Sequence, residues 1–414
     1  MKFGCIGNPL KHSYSREIHK ALGDYEYELC ELSEDELEDF FKSNDFKAIN
    51  VTIPYKKRVL DYVYRFDERA LEIGSVNTIV MDCLTGKHVG YNTDIYGVER
   101  LLLHAGVTLE GKKVVILGTG GTSNTVSFVA RRQQAKEILL VSREKKEGAI
   151  TYEELYSRHT DAEVIINATP VGMFPNSYAR ILDLSKFEAL SGVIDVIYNP
   201  LRTPLILDAM ERGIASEGGL YMLIAQAVRA SEIFINHAYS FDTCDKIYKK
   251  IIAEKENVVL VGMPSSGKST VGAELSKRLG RKFIDTDELI TEKAGMTIPE
   301  IFEKLGEEKF RELESKAIRE AALGCGKVIA TGGGAILNPE NVRALRSNGK
   351  IYFIDRPLEC LVPTEDRPLS KSKAEIERLY EKRYPLYSSL SDVRIDASED
   401  ALTVTEKIIE DFTK

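Results

Sequence analysis

The chain has 414 residues, 43% of them hydrophobic and 29% charged, and carries a formal net charge of −8. This is an ordinary balance for a globular protein, and its acidity gives no basis for nucleic-acid binding. No apolar run approaches the roughly 18 residues a membrane span needs, so the expected ligands are small molecules and the expected location is the cytoplasm. Six cysteines, at 5, 30, 83, 244, 325 and 360, lie far apart without a C-x-x-C pair. That spacing fits a reducing compartment and argues against a metal knuckle or a disulfide frame. At about 150 residues per domain, the length predicts two or three domains.

Residues 1–7 read directly as a strand, with no secretory leader pattern. From there, short apolar strands alternate with amphipathic helices, which predicts α/β folds with mainly parallel sheets. The clearest strands are 113–117, 138–141, 164–167, 193–196, 258–261, 328–331 and 351–354. Two of these seven run into glycine-rich turns that open helices, near 118 and near 262. Parallel sheets bind nucleotides at the carboxyl ends of their strands, so two such turns imply two nucleotide sites. Residues 239–257 are polar and lysine-rich and read as a terminal helix running into a linker.

Early in the chain, Lys56 taken singly is a surface lysine, and Asp94 is the cap of a helix over 95–103. The first glycine turn, Gly118-Thr119-Gly120-Gly121-Thr122, follows an apolar strand and precedes a helix. Glycines let a backbone approach a pyrophosphate, and a helix N-terminus offers free N–H groups. Ser123 replaces the third glycine of the dinucleotide fingerprint, so the turn alone is a loose signal. The next strand ends in Ser142-Arg143-Glu144-Lys145-Lys146. An arginine here suits a ribose 2′-phosphate and so NADP(H), whereas Glu144 would suit NAD.

Six blocks then identify a family: GNPLKHSYS at 7–15, NVTIPYK at 50–56, GSVNT at 74–78, NTD at 92–94, NATP at 167–170 and GGLYMLIAQ at 218–226. Together and in this order they resemble shikimate dehydrogenase over about residues 1–250. The resemblance implies a substrate-binding domain over 1–95, completed by a return helix at about 219–250. A Rossmann domain for NADP(H) would cover 96–218. It makes Lys56 and Asp94 the catalytic pair, with Lys56 supplying a proton to the carbonyl oxygen of 3-dehydroshikimate and Asp94 holding the ammonium. Ser13, Ser15, Thr52, Asn77, Thr93, Tyr198 and Gln226 would bind the acid's carboxylate and hydroxyls. Gly118, Thr119, Gly120, Gly121, Thr122, Ser142, Arg143, Thr169, Gly219 and Met222 would bind the cofactor. Glu147 stands where the family commonly has a second basic residue, and Arg16 where it commonly has proline.

The second turn, GMPSSGKST at 262–270, is the phosphate-binding G-x-x-x-x-G-K-S-T pattern in its required strand–loop–helix context. Its backbone N–H groups, from Ser265, Ser266, Gly267 and Thr270 among others, would cradle phosphates. Lys268 would reach the β/γ oxygens and the Ser269 hydroxyl would ligate Mg²⁺. FIDTD at 283–287 places Asp285 and Asp287 on one strand-end face, two residues apart. GEEKFR at 306–311, TGGG at 331–334, DRPL at 366–369 and KRYPLY at 382–387 follow.

In this order the blocks resemble shikimate kinase over about 257–414, a P-loop α/β domain of the nucleoside-monophosphate-kinase type. The resemblance implies ATP as donor and Mg²⁺ held by Ser269 and Asp285. Asp287 would orient the attacking hydroxyl. Arg311 and Arg383 would clamp the shikimate carboxylate beside Gly333, and Arg367 on a lid would neutralise the transferring group. Cys360 stands where the family's adenine-stacking arginine usually lies, seven residues before Arg367. The expected activity is therefore bifunctional: 3-dehydroshikimate to shikimate, then shikimate to shikimate 3-phosphate, in aromatic amino-acid biosynthesis. A quinate-type dehydrogenase fused to another small-molecule kinase, or a non-catalytic shikimate sensor, are the alternatives. Retention of Lys56, Asp94, Lys268 and Arg367 weighs against the sensor.

Overall fold

The computed structural model describes residues 2–10, 13–363 and 369–413. The described chain divides into two compact units, 1–251 and 252–414. The first unit holds two six-stranded sheets and the second a five-stranded one.

The first sheet comprises β1 (Phe3–Gly7), β2 (Tyr27–Glu31), β3 (Ala48–Val51), β4 (Arg65–Phe66), β5 (Thr78–Met81) and β6 (His88–Tyr91), in the order β2-β1-β3-β5-β6-β4. β1, β2 and β3 run parallel, while β5 is antiparallel to both β3 and β6. The register sets Cys5 beside Asn50 and Asn50 beside Thr78, so a row of side chains crosses the sheet toward its site.

The second sheet comprises β7 (Lys113–Leu117), β8 (Glu137–Ser142), β9 (Ile150–Thr151), β10 (Val164–Asn167), β11 (Gly192–Asp195) and β12 (Ala215–Glu217). Every pairing in it is parallel, and the order β12-β11-β10-β7-β8-β9 is that of a doubly wound dinucleotide fold. Val164, Ile165, Ile166 and Asn167 are all buried. Helices cover both faces of such a sheet, so its central strands are continuous β-branched runs rather than alternating ones. The order reverses between β7 and β10, which opens the crevice that a dinucleotide enters.

The third sheet comprises β13 (Asn257–Val261), β14 (Lys282–Asp285), β15 (Lys327–Ala330), β16 (Gly349–Asp355) and β17 (Val393–Asp396). Its order is β14-β15-β13-β16-β17, all parallel. The five residues of β13 are buried, and the helix Lys268–Leu279 follows it through the phosphate loop. The expected terminal helix of the first unit is Thr243–Lys255, and β13 begins two residues beyond it at Asn257. No described helix is long and apolar enough to cross a membrane.

One local expectation is corrected. Asp285 and Asp287 do not share a strand-end face: β14 ends at Asp285, and Asp287 lies in the first turn of the helix Thr286–Ala294. The cause is a cap, because the Asp285 carboxylate accepts from the Asp287 N–H at 2.9 Å and starts the helix one residue after the strand.

Candidate active sites in the two units

In the first unit the carboxyl ends of β3 and β6 and the amino end of β5 meet the start of the helix Asp94–His104. Lys56 Nζ donates to Asp94 Oδ2 at 2.5 Å, with the two side chains 19% and 8% exposed. Asp94 Oδ1 accepts from Asn77 Nδ2 at 2.8 Å, and the same amide group reaches Thr93 Oγ1 at 3.1 Å. The Thr93 N–H returns to Asn77 Oδ1 at 2.7 Å. Lys56, Asn77, Thr93 and Asp94 thus form one network, and Thr93 rather than Asp94 is the N-cap residue. A half-buried ammonium locked on a carboxylate is a proton donor of fixed direction.

Ser13 and Ser15 are linked hydroxyl to hydroxyl at 3.0 Å. Tyr198 stacks at a tilt on Tyr14, 5.3 Å between centroids, and burial pushes its phenol up. Gln226 is buried on the helix Leu220–Ile235 and bonds the Leu223 carbonyl at 2.8 Å. Thr52 follows β3, its N–H on the Ile6 carbonyl at 3.0 Å.

The dinucleotide crevice is built from the turn after β7. Gly118 has φ +110°, and a Cβ there would approach the Thr169 methyl at 3.0 Å and the Ala168 carbonyl at 3.2 Å. Only glycine lets the two strand ends come this close in a left-handed conformation. Beside it, Gly120 and Gly121 open the helix Gly121–Arg132 onto space that a Cβ would enter without contact. Free N–H groups above open space fit a pyrophosphate.

Thr169 is fixed by its hydroxyl on Asn167 Oδ1 at 2.7 Å, and Asn167 Nδ2 in turn sits 3.1 Å from both oxygens of buried Asp195. Ser142 ends β8 in a buried position, and Arg143 follows it exposed. Met222 is buried, and Gly219 precedes its helix with its N–H on the Ile197 carbonyl at 2.8 Å. Sequence reasoning missed Lys146, whose Nζ reaches Thr119 Oγ1 at 3.3 Å. It crosses to the glycine turn from the place next to Glu147.

In the second unit the phosphate loop closes around Lys268. Its Nζ donates to the carbonyls of Gly262 at 3.0 Å and Met263 at 2.8 Å, inside the loop that phosphates would fill. Ser269 Oγ donates to Asp285 Oδ2 at 2.6 Å, a hydroxyl–carboxylate pair with the chemistry of a Mg²⁺ shell. Ser266 is buried in the loop, Thr270 is exposed in the first turn of the following helix, and Ser265 Oγ ties the loop to the Val362 carbonyl at 2.8 Å. Cys360 is exposed in a short turn. Arg367 lies outside the described residues.

A cavity beside the loop is lined by Pro264, Asp287, Phe310, Arg311, Glu314 and Arg383, among others. Arg383 is only 4% exposed; its Nη1 donates to the Gly333 carbonyl at 3.0 Å, and its Nε has no partner among the described residues. Burial holds its pKa below the usual arginine value, with Arg311 adding repulsion. A buried guanidinium with an unsatisfied N–H is the donor set an organic carboxylate satisfies. At Gly333 it is the carbonyl that is engaged, by Arg383 and by Tyr387 Oη at 2.5 Å.

Glu314 was also missed. It pairs with Arg311 at 2.8 Å, and burial pushes its carboxyl up although Arg311 pulls it down. Its i+3 spacing from Arg311 was the readable signal.

Comparison with known proteins places each half of the chain beside a family. The shikimate dehydrogenase substrate binding domain family matches residues 5–79, and the shikimate kinase family matches 264–413. A shikimate dehydrogenase (NADP(+)) from Clostridium perfringens is 34% identical over 266 residues, 60% of this chain and 97% of that protein. The chorismate mutase/shikimate 5-dehydrogenase fusion protein of Clostridium acetobutylicum superposes with a TM-score of 0.57 at 32% identity, covering 60% of this chain and 96% of that one. Shikimate 5-dehydrogenase from Listeria monocytogenes, solved with shikimate and NAD, gives 0.53 at 28% identity over 60% and 96%.

Proposed function

Because the chain belongs to the shikimate dehydrogenase family through its first unit and carries a shikimate kinase domain behind it, we propose that it catalyses two consecutive steps of chorismate biosynthesis in the cytoplasm. The first is NADPH-dependent reduction of 3-dehydroshikimate to shikimate. The second is ATP-dependent phosphorylation of shikimate to shikimate 3-phosphate. The observation that carries this reading is the Lys56–Asp94 pair at 2.5 Å, in one chain with a phosphate loop that faces two arginines.

Residues 1–95 and 219–250 hold the acid, 96–218 hold NADP(H), and 257–414 act as the kinase. NADPH supplies the hydride at the first site, and ATP with Mg²⁺ supplies the phosphoryl group at the second. Lys56 gives its proton to the carbonyl oxygen as that oxygen gains charge, and Asp94 keeps the ammonium aimed. Ser13, Ser15, Thr52, Asn77, Thr93, Tyr198 and Gln226 fix the carboxylate and hydroxyls, so the ring carbon faces the cofactor crevice. Arg143, with Lys146 reaching the glycine turn at Thr119, receives the 2′-phosphate. In the second unit Arg311 and Arg383 grip the carboxylate, which turns the new hydroxyl toward Asp287 and the loop. Lys268 neutralises the transferring charge, with Arg367, while Ser269 and Asp285 hold the metal.

The purified chain given 3-dehydroshikimate, NADPH and ATP-Mg²⁺ is expected to oxidise one NADPH and form one ADP per turnover. NADPH oxidation without ADP formation would sink the kinase half, and quinate oxidised as fast as shikimate in the reverse direction would sink the substrate assignment. Arg383→Met is expected to raise the kinase KM for shikimate by about a hundredfold, the order of two charge-assisted hydrogen bonds, and to leave dehydrogenase KM alone. Arg143→Gln is expected to weaken binding of 2′-phosphorylated cofactor about tenfold and of NADH little, as read by calorimetry on both.

A further inference from the structure

Behind Asn77 a chain of hydrogen bonds runs away from the catalytic pair into the sheet, and every link donates in one direction. Tyr27 Oη donates to Asn50 Oδ1 at 2.7 Å. Asn50 Nδ2 donates to Thr78 Oγ1 at 3.1 Å. Thr78 Oγ1 donates to Asn77 Oδ1 at 3.0 Å. Asn77 Nδ2 donates to Asp94 Oδ1, whose other oxygen holds Lys56. The row crosses β2, β3 and β5, and Asn50, Asn77 and Thr78 are each 6% exposed or less.

The far end is built to stay neutral. His19 is fully buried and stacks on the Tyr27 ring at 3.8 Å with planes 7° apart. Its Nδ1 lies 2.6 Å from Tyr25 Oη, which in turn lies 2.7 Å from Ser231 Oγ. Burial holds the His19 pKa down at about 3, and burial also raises the Tyr27 phenol well above its ordinary value. An uncharged imidazole therefore backs a phenol that keeps its proton and donates it to Asn50.

We infer that Tyr27, held by His19, is a positioning residue of the dehydrogenase: through Asn50 and Thr78 it fixes which way the Asn77 amide faces, and so aims Asp94 and Lys56 at the reacting oxygen. An amide's two ends differ only in the bonds they make; the Thr78 hydroxyl joins the Thr93 N–H on Asn77 Oδ1, and the four aligned side-chain donors polarise one another in support of that one orientation. Tyr27 does this without touching the acid. The inference rests on Lys56 and Asp94 being the catalytic pair.

The test is a double-variant cycle on the full chain. Tyr27→Phe removes the first hydroxyl and Thr78→Val the middle one, each with little change of shape. Each is expected to lower dehydrogenase kcat about tenfold with the KM for 3-dehydroshikimate within about twofold, because the link acts on the proton donor and not on binding. The pair together should be no worse than Thr78→Val alone, because one chain is cut in both. Kinase activity in the same samples normalises the concentration. Should Tyr27→Phe fold poorly, the kcat and KM of Thr78→Val still decide. Unchanged kcat in both variants, multiplied losses in the pair, or a loss confined to KM would each overturn the inference. An active Lys56→Ala would instead overturn the catalytic assignment beneath it.

Discussion

Replacing Lys56 by alanine is expected to lower the dehydrogenase rate about a thousandfold, within the range that a positioned general acid contributes. The geometry leaves no described substitute. Asp94 Oδ1 is committed to Asn77, and its Oδ2 is the atom that holds the lysine at 2.5 Å. Without the ammonium the carboxylate remains, 8% exposed, and would repel rather than protonate an oxygen that is gaining negative charge. Shikimate binding measured by calorimetry should fall far less than the rate, since the serines, Thr52 and Gln226 are untouched. The kinase should run at its normal rate, because Lys56 belongs to the compact unit 1–251 and the phosphate loop to 252–414. A rate within tenfold of the parent would remove Lys56 from the proton-transfer role.

The converse variant, Lys268→Ala, is expected to lower kinase kcat at least a hundredfold, as the loss of one aligned charge in a dry site commonly does. Lys268 is 6% exposed and bonds the carbonyls of its own loop, so its charge already stands inside the phosphate cradle. Removing it takes both the positive charge and two bonds that shape the loop. Dehydrogenase turnover in the same preparation should not change. If either lysine variant silenced both activities while the protein stayed folded, the independence of the two sites would fail.

Much of this was legible along the chain because its signals are local. The glycine turn at 118 and the phosphate loop at 262 follow strands whose β-branched residues are buried on both faces, and a run such as Val164–Asn167 marks its own ends. Asp285 and Asp287 show where local reading stops. Period-two alternation put both carboxylates on one strand face, but the Asp285 side chain caps a helix and turns Asp287 out of the strand. Lys146 was passed over for a similar reason: the expected basic position was 147, and only folding brings its neighbour across to Thr119.

By itself the sequence determined the fold class, the two nucleotide turns and the family to which each half is similar, because strand period, turn glycines and motif spacing act over a few residues. Tertiary structure decided what those residues meet. Lys56 and Asp94 are 38 positions apart, Arg383 and Gly333 are 50 apart, and Tyr27 and Asn50 lie on parallel strands with β1 between them. Such pairings depend on sheet order and register, which set which side chains face one another across a strand spacing of about 4.8 Å. No local pattern encodes that partner. The two enzymes were therefore readable along the chain, while the hydrogen bonds that aim their reacting groups exist only once the strands have paired.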